Sequence, residues 1–181
     1  SDTDYTDRDQ QFGRIAGTLQ TIFPQPVVNT AVALAVLHAQ TEELDQDMGR
    51  AWLAHEEADA ANDAALYTAA WRTVGQRHAR QQQLQRVLAM GTDLARLTRT
   101  PGLRMMLRMM RGPANAAGMG ALQKFLEAGF DTFGQLARQR GGVEQFLATI
   151  EQRERAQMDL LFDVDPVTCG TQLNHTLGQA R

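Results

Sequence analysis

Cysteine occurs once, at Cys169, so no intrachain disulfide can form and a reducing compartment fits. Serine also occurs once, at Ser1, which removes a serine-based triad from consideration. The chain has no Glu-x-x-His, no His-Glu-x-x-His and no paired cysteines, so the usual bundle carboxylate sites, zinc proteases and structural zinc sites have no signature here. Gly118-Met119-Gly120 does not extend to Gly-x-Gly-x-x-Gly and follows no strand, so a dinucleotide site is unsupported. No apolar run reaches the roughly 20 residues a membrane span needs. No charged-then-apolar leader is present, so the expectation is a cytoplasmic protein without signal peptide or transmembrane segment. The first residue is Ser1 and not Met, as in a chain numbered from inside a longer gene product. β-branched and aromatic residues are few and no segment alternates with period two, so no sheet is expected.

Alanine, glutamine, leucine and arginine fill the space these absences leave. Straight side chains lose little rotamer freedom in a helix, so the composition reads as all-α. At 181 residues the chain is long enough for one domain with a real core. Its helices follow from spacing. Phe12, Ile15, Leu19 and Ile22 mark a first helix, ended by Pro24 and Pro26. A long second helix runs from about Val27 to Ala54, with Val27, Ala31, Leu34, His38, Thr41, Leu44, Met48, Ala51 and Trp52 on one face. The segment 58–63 connects to a third, with Asp63 as N-cap. The third reaches Leu97, with a polar stretch from Gly75 to Gln83 as its breaking point, and Pro101-Gly102 stops it. A short helix covers 103–111, and Pro113 starts a fifth through Leu136. The last spans Val143 to Phe162. The predicted architecture is a single bundle of five or six largely antiparallel helices, two of them long and in the N-terminal half. It occupies residues 1–162, and residues 163–181 form a flexible tail.

Charge is segregated. Residues 1–63 hold twelve acids and three arginines; residues 64–126 hold ten bases and only Asp93; residues 127–181 hold eight acids and five bases. Neutralisation of the basic stretch by residues 1–63 is the expected arrangement, with a free cationic face as the alternative. Residues 94–126 stand out, with Arg96, Arg99, Arg104, Arg108, Arg111 and Lys124, no acid, and five of the eight methionines.

Four groups of residues are candidates for function. Met105, Met106, Met109 and Met110 form a double row on one side of the short helix, with Arg104, Arg108 and Arg111 on the other; thioethers make adaptable surfaces for partners. His38 and Glu42 stand at i and i+4, and with His78 they are the available metal-ligand types. Glu154 interrupts the apolar stripe of the last helix, and a buried carboxylate requires a partner, so a structural ion pair is expected. The arginines suit phosphate, but no aromatics are interleaved with them and no recognition-helix pattern appears, which argues against nucleic acid. No catalytic constellation and no cofactor is implied.

Tyr5-Thr6-Asp7-Arg8-Asp9, Phe23-Pro24, Ala35-Val36-Leu37-His38-Ala39 and Glu43-Leu44-Asp45 occur in this order. They are followed by Val74-Gly75, Arg111-Gly112-Pro113-Ala114, Gly129-Phe130-Asp131-Thr132-Phe133, Phe146-Leu147-Ala148-Thr149-Ile150 and Arg153-Glu154. Over about residues 5–162 the chain resembles a functionally uncharacterised family of bacterial all-helical proteins. Members of that family open on a Phe-Phe-Leu-Glu-Glu-Leu-Tyr-like motif, which this sequence lacks. The resemblance implies an all-helical fold and a bacterial origin, and no activity. The sequence therefore points to a non-catalytic protein-binding or self-associating module. A bundle-core metal or ligand site around His38, Glu42 and His78 is one alternative, and anion or nucleic-acid binding through residues 94–126 is the other.

Overall fold

The computed structural model describes residues 24–56 and 63–179. The predicted first helix and the connection at 58–62 lie outside the described residues. Every regular element among the described residues is a helix, and no strand occurs among them. There are eight: α1 (Gln25–Glu56), α2 (Asp63–Val74), α3 (Arg77–Thr98), α4 (Leu103–Met109), α5 (Arg111–Ala116), α6 (Gly120–Leu136), α7 (Gly142–Asp163) and α8 (Pro166–Gln179).

Eight replaces the expected five or six because two expected helices are split and a further one follows α7. Gly75 (φ 66°) and Gln76 (φ 53°) are both left-handed, which breaks the expected third helix into α2 and α3. A left-handed residue cannot continue a right-handed helix, and glycine takes that conformation without a Cβ clash. Gly118 (φ 75°) likewise separates α5 from α6. Pro113 sits inside the first turn of α5 and not at its first residue; a missing N–H is still harmless there, because first-turn donors have no helical acceptor.

The described residues form two compact units. The first takes residues 24–36 and 88–147. Its core is Val27, Val28 and Ala31 of α1, Leu103 and Leu107 of α4, Ala114 of α5, and Leu126 and Phe130 of α6. Leu97, Met110, Met119 and Leu122 pack around them, half-buried.

The second unit takes residues 37–56, 63–87 and 148–179. In α1 the buried positions Leu37, Leu44 and Ala51 alternate with half-buried Thr41 and Met48, a 4-3-4-3 spacing. Trp71 is buried, with Phe162 5.6 Å away between ring centroids and the Arg80 guanidinium 4.3 Å above its ring. Burial is the main reason the Arg80 pKa is lowered from its usual value. The expected tail from 163 is helical from Pro166 to Gln179. Asp165 caps α8 by accepting the Thr168 N–H at 3.0 Å, and hydrogen bonds from the Thr168 side chain and then from its N–H hold the carboxyl below the usual range. Cys169 and Leu173, one turn apart, are buried, and α8 packs on α2 with Thr68 Oγ1 3.4 Å from Cys169 Sγ. Arg72 of α2 donates to the carbonyls of Leu161 (2.8 Å) and Val164, tying the end of α7 to α2. Alternating pairs such as Cys169 and Leu173 are too short a pattern to stand out against the polar residues of 163–181.

Candidate functional site

The stretch with the densest unusual chemistry lies in the first unit, on α4 and the face of α6 beside it. Gly102 (φ 76°) turns the chain out of α3 and into α4. Leu103 and Leu107, one turn apart, then point into the core, and Met110 follows on the same side, half-buried. Arg104, Arg108 and Arg111 are spaced at i, i+4 and i+7, so they form a stripe next to the leucines. Met105 and Met109 occupy the opposite side and are 68% and 63% exposed; Met106 is exposed as well.

The arginine stripe meets two carboxylates of α6. Arg104 Nε donates to Asp131 Oδ1 at 2.8 Å. Arg111 grips Glu127 with two donors, Nε at 2.7 Å to Oε1 and Nη2 to Oε2. Arg108 adds its charge from the same stripe. Chiefly through the Arg111 hydrogen bonds, the Glu127 carboxyl is held down to about 2. The pairing raises the Arg111 pKa in turn. Gln123 is buried one turn before Glu127. Its Nε2 donates to the Leu107 carbonyl at 2.5 Å and to Glu127 Oε1 at 2.7 Å, so one amide fixes α4 to α6 and orients the carboxylate.

Half of the acids expected to neutralise the basic stretch, Asp2, Asp4, Asp7, Asp9, Glu57 and Asp59, lie outside the described residues. Among the described residues, ion pairs from the 94–126 stretch run to Asp93, Glu127 and Asp131, not to residues 24–56. Glu127 and Asp131 are the first two acids beyond the basic stretch and belong by sequence to the acidic C-terminal third. Gln123 left no sequence signal except a polar residue inside an apolar stripe.

The remaining candidates lie in the second unit and are not brought together into a core site. His38 Nδ1 is 4.0 Å from Glu42 Oε1, with the side chains 68% and 56% exposed. The buried stripe of α1 passes through Leu37, and His38 is one position off it. His78, expected at the core edge, is exposed and hydrogen-bonds Gln82 at 2.8 Å. Among the described residues no three His, Cys, Asp or Glu side chains gather in a way that holds a metal ion. Glu154 is exposed, which removes the reason for expecting a buried partner; on the same helix it is Arg155 and Glu151 that pair, at 2.8 Å. No helix among the described residues is long and apolar enough to cross a membrane.

Comparison with protein families gives one match, over residues 1–168, to a domain of unknown function, DUF8198, and the chain belongs to that family. No curated protein and no solved structure matches it significantly.

Proposed function

We propose that this member of the DUF8198 family is a non-catalytic module that binds protein, a second copy of itself or a partner, through the outward face of α4. The observation that carries this reading is the exposure of Met105 and Met109 beside the exposed Met106. Three neighbouring thioethers outside the core are costly to leave in water and adapt to the shape of an incoming helix. Arg104 and Arg111 serve this face indirectly. Held by Asp131 and Glu127, they fix α4 on α6, so the methionines are presented on a rigid support. Arg108 borders the same face and supplies a cation at its rim. The resemblance to bacterial all-helical proteins goes with this reading and adds no activity to it.

The test compares wild type with the double variant Met105→Glu, Met109→Glu. Light scattering after size exclusion follows the mass across a concentration series, and affinity capture from the native host follows partners. Wild type is expected to self-associate or to retain specific proteins, and the variant to lose that property while keeping its helical circular dichroism. A strict monomer whose captured proteins are unchanged by the double variant would overturn the reading.

A further inference from the structure

A second feature of the first unit lies away from the methionines. Between the α3–α4 turn and the end of α6 is a cleft of about 280 Å³. Thr98, Arg99, Thr100, Arg104 and Arg138 line it, over a floor that includes Phe130. Among the described residues one acid, Asp131, faces the cleft, and it is already bound to Arg104. Arg99 and Arg138 make no side-chain hydrogen bond or ion pair among the described residues. Gly134 lines the cleft without a side chain, and a Cβ there would touch Thr98 at 3.9 and 4.0 Å.

A purely structural role for these arginines, as cations at helix C-termini, is the competing explanation, because α3 ends at Thr98 and α6 at Leu136. Two observations count against it. First, the backbone already serves the last turns: Arg99 and Thr100 N–H bond Arg96 and Leu97 carbonyls, and Ala137 and Arg138 N–H bond Phe133 and Gln135 carbonyls. Second, the charges do not balance. Three guanidiniums face one carboxylate, and two helix ends of about half a negative charge each leave roughly one positive charge unmet.

We propose that this cleft is an anion site for a small molecule carrying a phosphate group, held by Arg99 and Arg138 with Arg104 and the Thr100 hydroxyl beside them. Guanidinium groups match phosphate oxygens in pairs. The volume lies just below that of typical small-ligand pockets, which start at about 300 Å³. It admits a phosphate with a short organic remainder. A nucleic-acid strand needs an extended groove with stacking platforms, and among the described residues no aromatic side chain but Phe130 lines this cleft.

Titration calorimetry of the full chain with inorganic phosphate, at low and constant ionic strength, tests the proposal. Wild type is expected to bind at a single site. Arg99→Gln and Arg138→Gln are each expected to weaken binding about tenfold, since a charge-assisted contact is lost. Gly134→Leu keeps every charge and adds bulk to the cleft wall: a Cβ there meets Thr98 atoms at 3.9 and 4.0 Å, ordinary contact, and with the fold intact by circular dichroism binding should fall similarly. Arg153→Gln, at an exposed position of α7, should leave binding unchanged. Circular dichroism confirms that each variant is folded. The proposal is overturned if wild type does not bind phosphate, if Gly134→Leu binds as well as wild type, or if Arg153→Gln weakens binding as much as Arg99→Gln. It is equally overturned if a single-stranded oligonucleotide binds and phosphate does not.

Discussion

Glu127 combines a half-exposed position with a strongly lowered pKa, and the cause is local. Two guanidinium donors from Arg111 and one amide from Gln123 converge on one carboxylate. Its folded-state value of about 2 lies below the ordinary 4.5, so the unfolded chain takes up its proton first as pH falls. The stability it contributes is therefore complete above about pH 5 and disappears between roughly 4.5 and 2. Glu127→Gln is expected to be less stable than wild type in urea at neutral pH, and the difference should close across that interval. An unchanged difference from pH 7 to pH 2.5 would mean that the pairing with Arg111 does not operate in solution. At this scale the sequence was least informative. Arg104, Arg108 and Arg111 are visible as a stripe from spacing alone. That Glu127 and Asp131 complete them depends on α6 packing against α4, which no local pattern encodes.

Helix positions were mostly legible, because burial imposes a period on the sequence. Val27 and Ala31 of the first unit, and Leu44, Met48 and Ala51 of the second, occupy the face that their spacing predicts. His38 was assigned to that face because it stands four residues after Leu34 and three before Thr41; Leu37 satisfies the same 3-4 spacing, and it is Leu37 that is buried. The ends of elements were legible where glycine or proline acts, at Pro101-Gly102 and Gly141-Gly142. The break between α2 and α3 falls inside the 75–83 stretch that the sequence marked, but the left-handed conformation of Gln76, whose Nε2 donates to Asp47 Oδ2 at 2.7 Å, was not legible. Gly75 makes this turn measurable. A Cβ at Gly75 meets only the Arg72 carbonyl oxygen, at 3.9 Å, so an alanine has room and its penalty is conformational. Gly75→Ala should destabilise the protein by about 1 kcal/mol or more, read from the urea midpoint. A neutral or stabilising effect would mean that α2 and α3 join without a left-handed turn.

Across the whole chain, arginine outnumbers lysine seventeen to one, and the basic middle third is flanked by acidic segments. The described ion pairs use this segregation locally, with each basic helix drawing on acids close to it in space. Two groups in the first unit are left outside that pattern: the thioethers of α4, and the guanidiniums of Arg99 and Arg138. The first supports a protein surface and the second a small anion site, and neither provides a nucleophile, a general base or a metal cluster among the described residues. The central claim concerns the first. Methyl-selective NMR of the protein labelled at its eight methionines tests it most directly, recorded over a concentration series and with each captured partner. The account predicts that the Met105, Met106 and Met109 methyl signals shift or broaden on association, while Met48 and Met158 of the second unit hold still. Association that leaves the three α4 signals unmoved would contradict it.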